Sequence, residues 1–142
     1  MQPSIREALA GDAPRIAQLC VQLGYDVPLA HVEWFLGLAR TDRELLVAVV
    51  PRVGVVGWIG VAARPALLAS ARADVEGLIV EDEYRGLGIG ARLLEAAEEW
   101  ARKRGCTSVR VLSNVIRERA HHFYERRGFE LRKSEHVFTK QL

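Results

Sequence analysis

The stretch VEGLIVEDEYRGLGIGARLLEAA, residues 75–97, decides how the rest of the chain is read. Its apolar run, Leu78, Ile79 and Val80, gives way to an acidic turn, then to Arg85 and three glycines at alternate positions, Gly86, Gly88 and Gly90. Beyond them Ile89, Leu93, Ala97, Trp100 and Ala101 share one helical face, and Glu95, Glu98, Glu99, Arg102 and Lys103 share the other. The pairs Glu98/Arg102 and Glu99/Lys103 stand at the favourable i,i+4 offset. The stretch predicts a strand over residues 75–80, a glycine turn and a helix. A helix start presents amides with no partner inside the helix, and the helix dipole adds partial positive charge there. Both favour an anion, most often a phosphate. Glycine lets a phosphate approach the main chain and tolerates positive φ. The expectation is a diphosphate cradle of main-chain amides, against the plainer alternative of a flexible strand-to-helix turn.

Two other phosphate motifs fit poorly. Gly86-Leu87-Gly88-Ile89-Gly90-Ala91 matches the dinucleotide pattern G-x-G-x-x-A. In that motif the first glycine directly follows its strand, whereas residues 81–85 intervene here. The acidic residue expected at the end of the next strand is replaced by Val111, Leu112 and Ser113. Too little chain follows Gly90 for a doubly wound sheet. A P-loop needs Gly-Lys-Ser/Thr, which is absent.

Outward from this segment the pattern continues as strand, helix and turn. Residues 109–112 read as a strand, so the strands around 78 and 111 form a βαβ unit and are parallel. Ala120, Phe123 and Tyr124 mark a further helix closed by Gly128, and residues 129–132 and 136–139 read as two short strands. Toward the N-terminus, all five prolines fall at or before Pro65, so this half is more broken by turns. Residues 4–8 suggest a strand. Asp12 reads as the N-cap of a helix with Pro14 in its first turn, Ile16, Leu19, Cys20 and Leu23 on its apolar face, and Gly24 at its end. Val32, Phe35, Leu36 and Ala39 suggest a second helix after Pro28. Residues 45–50 and 53–62 form a hairpin about Pro51-Arg52, and residues 64–71 a loop.

Composition narrows the function classes. The 142 residues suit one domain, and 49% hydrophobic residues suffice for a core. A net charge of +2, with no long run of either sign, argues against a nucleic-acid or membrane partner. No segment is apolar enough to span a membrane, and residues 1–6 lack an apolar signal core. Cys20 and Cys106 stand far apart and read as reduced, buried thiols of a cytoplasmic protein.

Arg85-Gly86-Leu87-Gly88-Ile89-Gly90 resembles the acetyl-CoA signature of the GNAT N-acetyltransferase superfamily, Arg/Gln-x-x-Gly-x-Gly/Ala. Ala120-His121-His122-Phe123-Tyr124-Glu125-Arg126-Arg127-Gly128-Phe129 resembles the second signature, an alanine then a tyrosine on a helix closed by Gly-Phe. Together they span about residues 75–130. The resemblance implies an α/β (α+β) GNAT fold over residues 1–142 as a single domain. Its mixed central β-sheet is splayed between strands 4 and 5, flanked by about four helices, in the order β-α-α-β-β-β-α-β-α-β-β. It implies acetyl-CoA as acetyl donor, with no metal. The pantetheine arm would pair with main chain at Leu78, Ile79 and Val80, and the diphosphate would lie on Arg85, Gly86, Leu87, Gly88, Ile89, Gly90 and Ala91. Asn114 stands ten residues before Tyr124, further than in many family members, with Arg117-Glu118-Arg119 between them. It suits a longer-loop variant, either bonding pantetheine or capping the next helix.

The implied reaction is acetyl-CoA-dependent transfer to a primary amine, direct and through a tetrahedral intermediate. The alternative is a catalytically inactive acyl-CoA-binding or sensor protein of the same fold. Direct transfer needs a base for the amine, a donor to the oxyanion and an acid for the leaving thiolate. The main-chain N–H of Val80 or a neighbour suits the oxyanion. Tyr124 matches the position of the family's acid, and a hydroxyl of pKa ~10 can protonate a thiolate of pKa ~8.5. The competing role for Tyr124 is core packing with its hydroxyl on a main-chain carbonyl. Glu76 and Asp74 share one strand face, with Val75, Gly77 and Ile79 on the other. Burial at a cleft would let Glu76 accept the proton, directly or through water. Asp74, or water alone, is the alternative base, and a solvated edge is the plain reading of both carboxylates.

The remaining polar and aromatic residues carry less. His121 and His122 are adjacent and diverge on a helix, which disfavours zinc. His31 and His136 read as surface residues. Arg117 and Arg119 suit either the 3′-phosphate of coenzyme A or a solvated helix start. Tyr25, Asp26 and Trp34 lie by the loop that covers the acceptor in this superfamily, and an acidic-aromatic pair there can hold a cation. Aminoglycosides, polyamines, amino acids, peptide N-termini and lysines all remain open as acceptors, and a homodimer is compatible with the family. The ending Val137-Phe138-Thr139-Lys140 bears a faint resemblance to aminoglycoside 6′-acetyltransferases, insufficient to name a substrate.

Overall fold

Among the described residues four antiparallel strands and one parallel strand form the sheet, in the spatial order of the sequence. They are β1 (Ser4–Glu7), β2 (Arg43–Val50), β3 (Gly54–Arg64), β4 (Arg72–Val80) and β5 (Ser108–Val111). The helices are α1 (Ala13–Gln22), α2 (Leu29–Leu36), α3 (Ile89–Lys103) and α4 (Glu118–Arg126). This is a computed structural model, and it describes residues 2–38, 40–112 and 118–142. Two units divide it, Met1–Leu112 and Ser113–Leu142. The first holds the whole sheet with α1, α2 and α3; the second holds α4. Among the described residues no helix is long and apolar enough to cross a membrane.

The hairpin of β2 and β3 is antiparallel, as its two apolar runs predict, with Leu46 opposite Ile59 and Val47 opposite Trp58. Alternation then divides the side chains between the two faces. Leu45, Val47, Val55 and Ile79 pack with Ile16, Leu19, Cys20, Val32 and Leu36 of α1 and α2 in one buried cluster. On α3 the predicted apolar face is the buried one, with Ile89, Leu93, Ala97 and Ala101 each almost wholly covered. Leu93 comes so close to β3 that a Cβ on Gly57 would stand 3.3 Å from its Cδ1. β4 and β5 are parallel, joined through α3, as a βαβ unit requires.

Several expectations fail for local reasons. Asp12 precedes α1 but makes no cap bond to it. Its carboxylate instead accepts from Leu9 N at 2.7 Å and from Arg6 at 2.8 and 3.0 Å. The Arg6 guanidinium holds the Asp12 carboxyl below its ordinary range, and Asp12 raises Arg6 in turn. Arg102 pairs with Glu99 at 3.6 Å, one residue closer in sequence than the predicted Glu98. β4 starts three residues before the predicted strand of residues 75–80, because Arg72, Ala73 and Asp74 pair with both neighbours. Cys20 is buried, but Cys106 is only partly so. The two C-terminal strands do not form. Among the described residues 129–142 have no ladder, and Phe138 is 94% exposed. Apolar alternation makes a strand only where a neighbouring strand takes up its main-chain bonds.

Candidate active site

β4 and β5 stay paired only from Arg72↔Ser108 to Val75↔Val111. At the next residue the register of β4 against β3 slips. Gly60 faces Gly77 while Val61 faces Val75, which leaves Glu76 as the extra residue of a β-bulge. Bulges bend a strand and raise its twist, and this one falls where the β4–β5 pairing ends. Residues 76–80 have no β5 partner among the described residues. The bond from Glu81 N to Val56 O, 2.8 Å, sets the phase of the β3–β4 ladder. Bonded and non-bonded pairs alternate in an antiparallel ladder, so Val80, opposite Gly57, and Leu78, opposite Ile59, turn their main-chain groups away from β3. Those groups face the β5 side. Ile79 turns its own to Trp58 and buries its side chain in the core.

The glycine turn lies between this strand edge and α3. Gly86 has φ +78° and Gly88 φ +81°, the left-handed region that glycine enters without strain. A Cβ at either would meet nothing within 4 Å, so both face open space. Among the described residues the amides of Gly86, Leu87, Gly88, Ile89, Gly90 and Ala91 find no acceptor, and the first bond of the helix ladder is Arg92 N to Gly88 O, 3.1 Å. No acidic side chain stands in the first turn of α3, and no side chain caps it. This donor set suits a diphosphate, with main-chain N–H groups at the positive end of a fifteen-residue helix. Arg85 folds back, donating from Nε to Val80 O at 3.2 Å and pairing with Asp82 at 3.1 Å. Arg15 of α1 ties the turn to the sheet, bonding Val55 O at 2.9 Å and pairing with Glu81.

The bulge also changes which side chains share a face. A Cβ on Gly77 would lie 2.7 Å from the Trp58 ring, and one on Gly60 would touch both Trp58 and Glu76 Cβ. Glu76 and Gly77 therefore lie on one face, with Ile79, and only Val75 keeps its expected place opposite. The Trp58 ring occupies the space a side chain at 77 would need. Beneath it, burial pushes the Cys20 thiol up, against a smaller opposing pull from the Trp58 indole.

Glu76 is not buried as expected. Its side chain is 43% exposed and pairs with Arg64 Nη2 at 3.4 Å. Asp74, 16% exposed, sits among three arginines: Arg72 Nε at 3.1 Å, Arg110 at 3.3 Å through Nε and Nη2, and Arg64 Nε at 3.5 Å. A cleft of about 260 Å³ opens here, lined by Arg64, Asp74, Val75, Glu76, Arg110 and Leu112. The three arginines escaped the sequence reading. The signal was present, since each falls in register beside Asp74 once the strands are aligned.

In the second unit Tyr124 is half-buried on α4. Its ring meets Phe123 edge-on at 5.3 Å and Phe129 at 5.7 Å. Phe129 N donates to Tyr124 O at 3.1 Å as the chain leaves the helix. Both aromatics of the Phe123-Tyr124 pair are partly covered. Asn114 and Arg117 lie outside the described residues. Tyr25 and Trp34 are exposed beside the α1–α2 connection, and Trp34 packs on His31 at 5.2 Å between ring centres.

The profile of the "Acetyltransferase (GNAT) family" matches residues 12–129. The chain belongs to the GNAT acetyltransferase family. Among relatives, it is 30% identical over 132 residues to "Aminoglycoside N(6')-acetyltransferase type 1" of Stenotrophomonas maltophilia, covering 90% of this chain and 86% of that one. It is 39% identical over 69 residues to "Aminoalkylphosphonate N-acetyltransferase" of Salmonella typhimurium, covering 49% of this GNAT chain and 44% of the relative. The solved structure of AAC(6')-Iy in complex with the bisubstrate analog CoA-S-monomethyl-acetylneamine superposes with a TM-score of 0.86. It covers all of both chains at 19% identity, a likeness of fold. A mixed sheet with β4 parallel to β5, together with four helices among the described residues, is the GNAT architecture, and the chain is an N-acetyltransferase by family.

Proposed function

We propose that this enzyme, working as one domain over residues 1–142, moves the acetyl group of acetyl-CoA directly to a primary amine of a small molecule through a tetrahedral intermediate. One observation carries the reading. Within a single unit, the unaccepted amides from Gly86 to Ala91 adjoin a strand edge on which Leu78 and Val80 offer main-chain bonds. The amides of residues 86–91 hold the donor's diphosphate, with Arg85 beside them. The edge of β4 takes the pantetheine arm as it would an added strand, with Asn114 as a further contact.

The roles of individual residues follow from what each can donate or accept. Val80 N–H is a preorganised donor to the oxyanion. Glu76, solvent-accessible at the bulge, takes a proton from the acceptor's ammonium directly or through water. Asp74 suits this less, because three arginines already surround its carboxylate. The amine nitrogen bonds the carbonyl carbon, the carbon–sulfur bond breaks, and Tyr124 gives its hydroxyl proton to the departing thiolate; the nitrogen's second proton leaves through water, which reprotonates the tyrosine. Relatives named for aminoglycosides and aminoalkylphosphonates support a small-molecule acceptor. The test is thiol release from acetyl-CoA across a panel of primary amines. The reading expects amine-dependent release; coenzyme binding with no release for any amine marks a sensor and refutes it.

A further inference from the structure

We infer that the acceptor carries an anionic group beside its amine, held by Arg64 and Arg110, and is not a polycation. This rests on the acetyltransferase reading and narrows its substrate class. The cleft at the β4 bulge is where Glu76 would meet an ammonium, and its charge is unbalanced. Among the described residues Arg64, Arg72 and Arg110 pair with two carboxylates, Asp74 and Glu76. Asp74 is the shared acceptor that holds the arginines together, and it is largely covered, whereas Arg64 is 52% exposed and Arg110 37% exposed. Three guanidinium groups carry many more N–H donors than two carboxylates accept. Two of the three, Arg64 and Arg110, line the cleft.

The arrangement grades along β4. Glu76 is the ammonium end, and the Asp74–Arg110 level lies two residues away, about 7 Å along the strand. Arg64 spans the two, touching Glu76 and Asp74. An acceptor with an ammonium at one end and a carboxylate or phosphonate a few bonds away meets opposite charges at both ends. Arginine forks bind such oxyanions in pairs of bonds. A polyamine or aminoglycoside would instead bring several cations against the arginines. Leu112, exposed on the rim, offers an apolar contact to a short methylene spacer.

The experiment is calorimetric titration of the intact chain, saturated with CoA, with β-alanine, 2-aminoethylphosphonate, β-alaninamide and neamine. The two acidic amines are expected to bind about tenfold or more tightly than β-alaninamide, and neamine most weakly. Arg64→Gln and Arg110→Gln should each collapse that ratio toward one. Arg110→Lys keeps the charge but loses the fork, and should restore part of it with an unchanged melting temperature. Comparing the carboxylate with the phosphonate shows which anion the site takes. Equal binding of β-alaninamide, tighter binding of neamine, or a ratio that survives both glutamine variants overturns the inference. Thiol release on the same samples separates the two readings. Release only with neutral or cationic amines ends this inference and leaves the acetyltransferase standing. Anion-selective binding with no release from any amine ends the acetyltransferase reading, and with it the acceptor, and leaves only an anion site at the arginines.

Discussion

Replacing Gly88 by alanine and by glutamate separates the backbone's need for glycine from the ligand's need for space. Gly88 sits at φ +81°, ψ 6°, immediately before α3. A residue with a side chain costs about 1–2 kcal/mol more than glycine there, partly offset by a less flexible unfolded chain. Packing adds nothing, since a Cβ meets no atom within 4 Å. Gly88→Ala should therefore lower Tm by only a few degrees, about 2–6 °C. Gly88→Glu carries the same backbone penalty, and its side chain points into solvent, so its Tm should match that of the alanine variant. The two differ in coenzyme binding. Like charges 4 Å apart repel by about 1 kcal/mol in water and about 4 kcal/mol near a protein surface, so CoA affinity should fall about 10²-fold in Gly88→Glu. In Gly88→Ala it should fall far less. Differential scanning calorimetry and CoA titration of both variants measure this. Wild-type CoA affinity in Gly88→Glu would refute the cradle. A drop of more than about 4 kcal/mol in Gly88→Ala would refute the open space around the turn.

Other substitutions test the acid–base assignments and the packing. Glu76→Gln should lower kcat/KM at neutral pH by about 10²-fold and flatten the acidic limb of the pH profile, as stopped-time thiol assays would show. Tyr124→Phe keeps the ring contacts with Phe123 and Phe129. It should lower kcat and kcat/KM together by about 10²-fold with little change in CoA affinity. Full kcat with a reduced Tm would make it a packing residue. Asp12→Ala removes the acceptor of Leu9 N and the partner of Arg6, and should cost about 1–2 kcal/mol at pH 7. Because the folded Asp12 carboxyl lies below its ordinary value, its contribution is present above that value and is lost as pH falls through the folded one. Urea midpoints of wild type and variant should therefore converge below about pH 4.

The parts of this protein that were legible in its sequence are those where local spacing and burial agree. Ile89, Leu93, Ala97 and Ala101 repeat at the helix period, and α3 buries that face. The β2–β3 hairpin and the parallel pairing of β4 and β5 followed for the same reason. The glycine turn could be read because an unusual residue type answers a backbone need at Gly86 and Gly88. The bulge at Glu76 could not, since strict alternation is the only rule a single strand offers and the slip depends on how Gly60 and Gly77 meet beneath Trp58. That slip moved Gly77 and Ile79 to the face of Glu76. The grouping about Asp74 was harder to read for a related reason: Arg64 and Arg110 come from the neighbouring strands and reach Asp74 only once the register is known. Asp12 looked like a helix cap because its type and place fit one, but a fixed guanidinium at Arg6 competes for the same carboxylate.

The most direct test of the central claim is to identify the product. The protein, acetyl-CoA and a short amino acid or aminophosphonate are incubated together, and the acceptor is followed by mass spectrometry alongside free thiol. The account predicts one acetyl group per acceptor, on its primary amine, stable to hydroxylamine as an amide, formed in step with CoA thiol and absent without protein. Thiol formed with no acetylated amine would mean hydrolysis, and tight CoA binding with neither product would mean a sensor; either result would contradict the account.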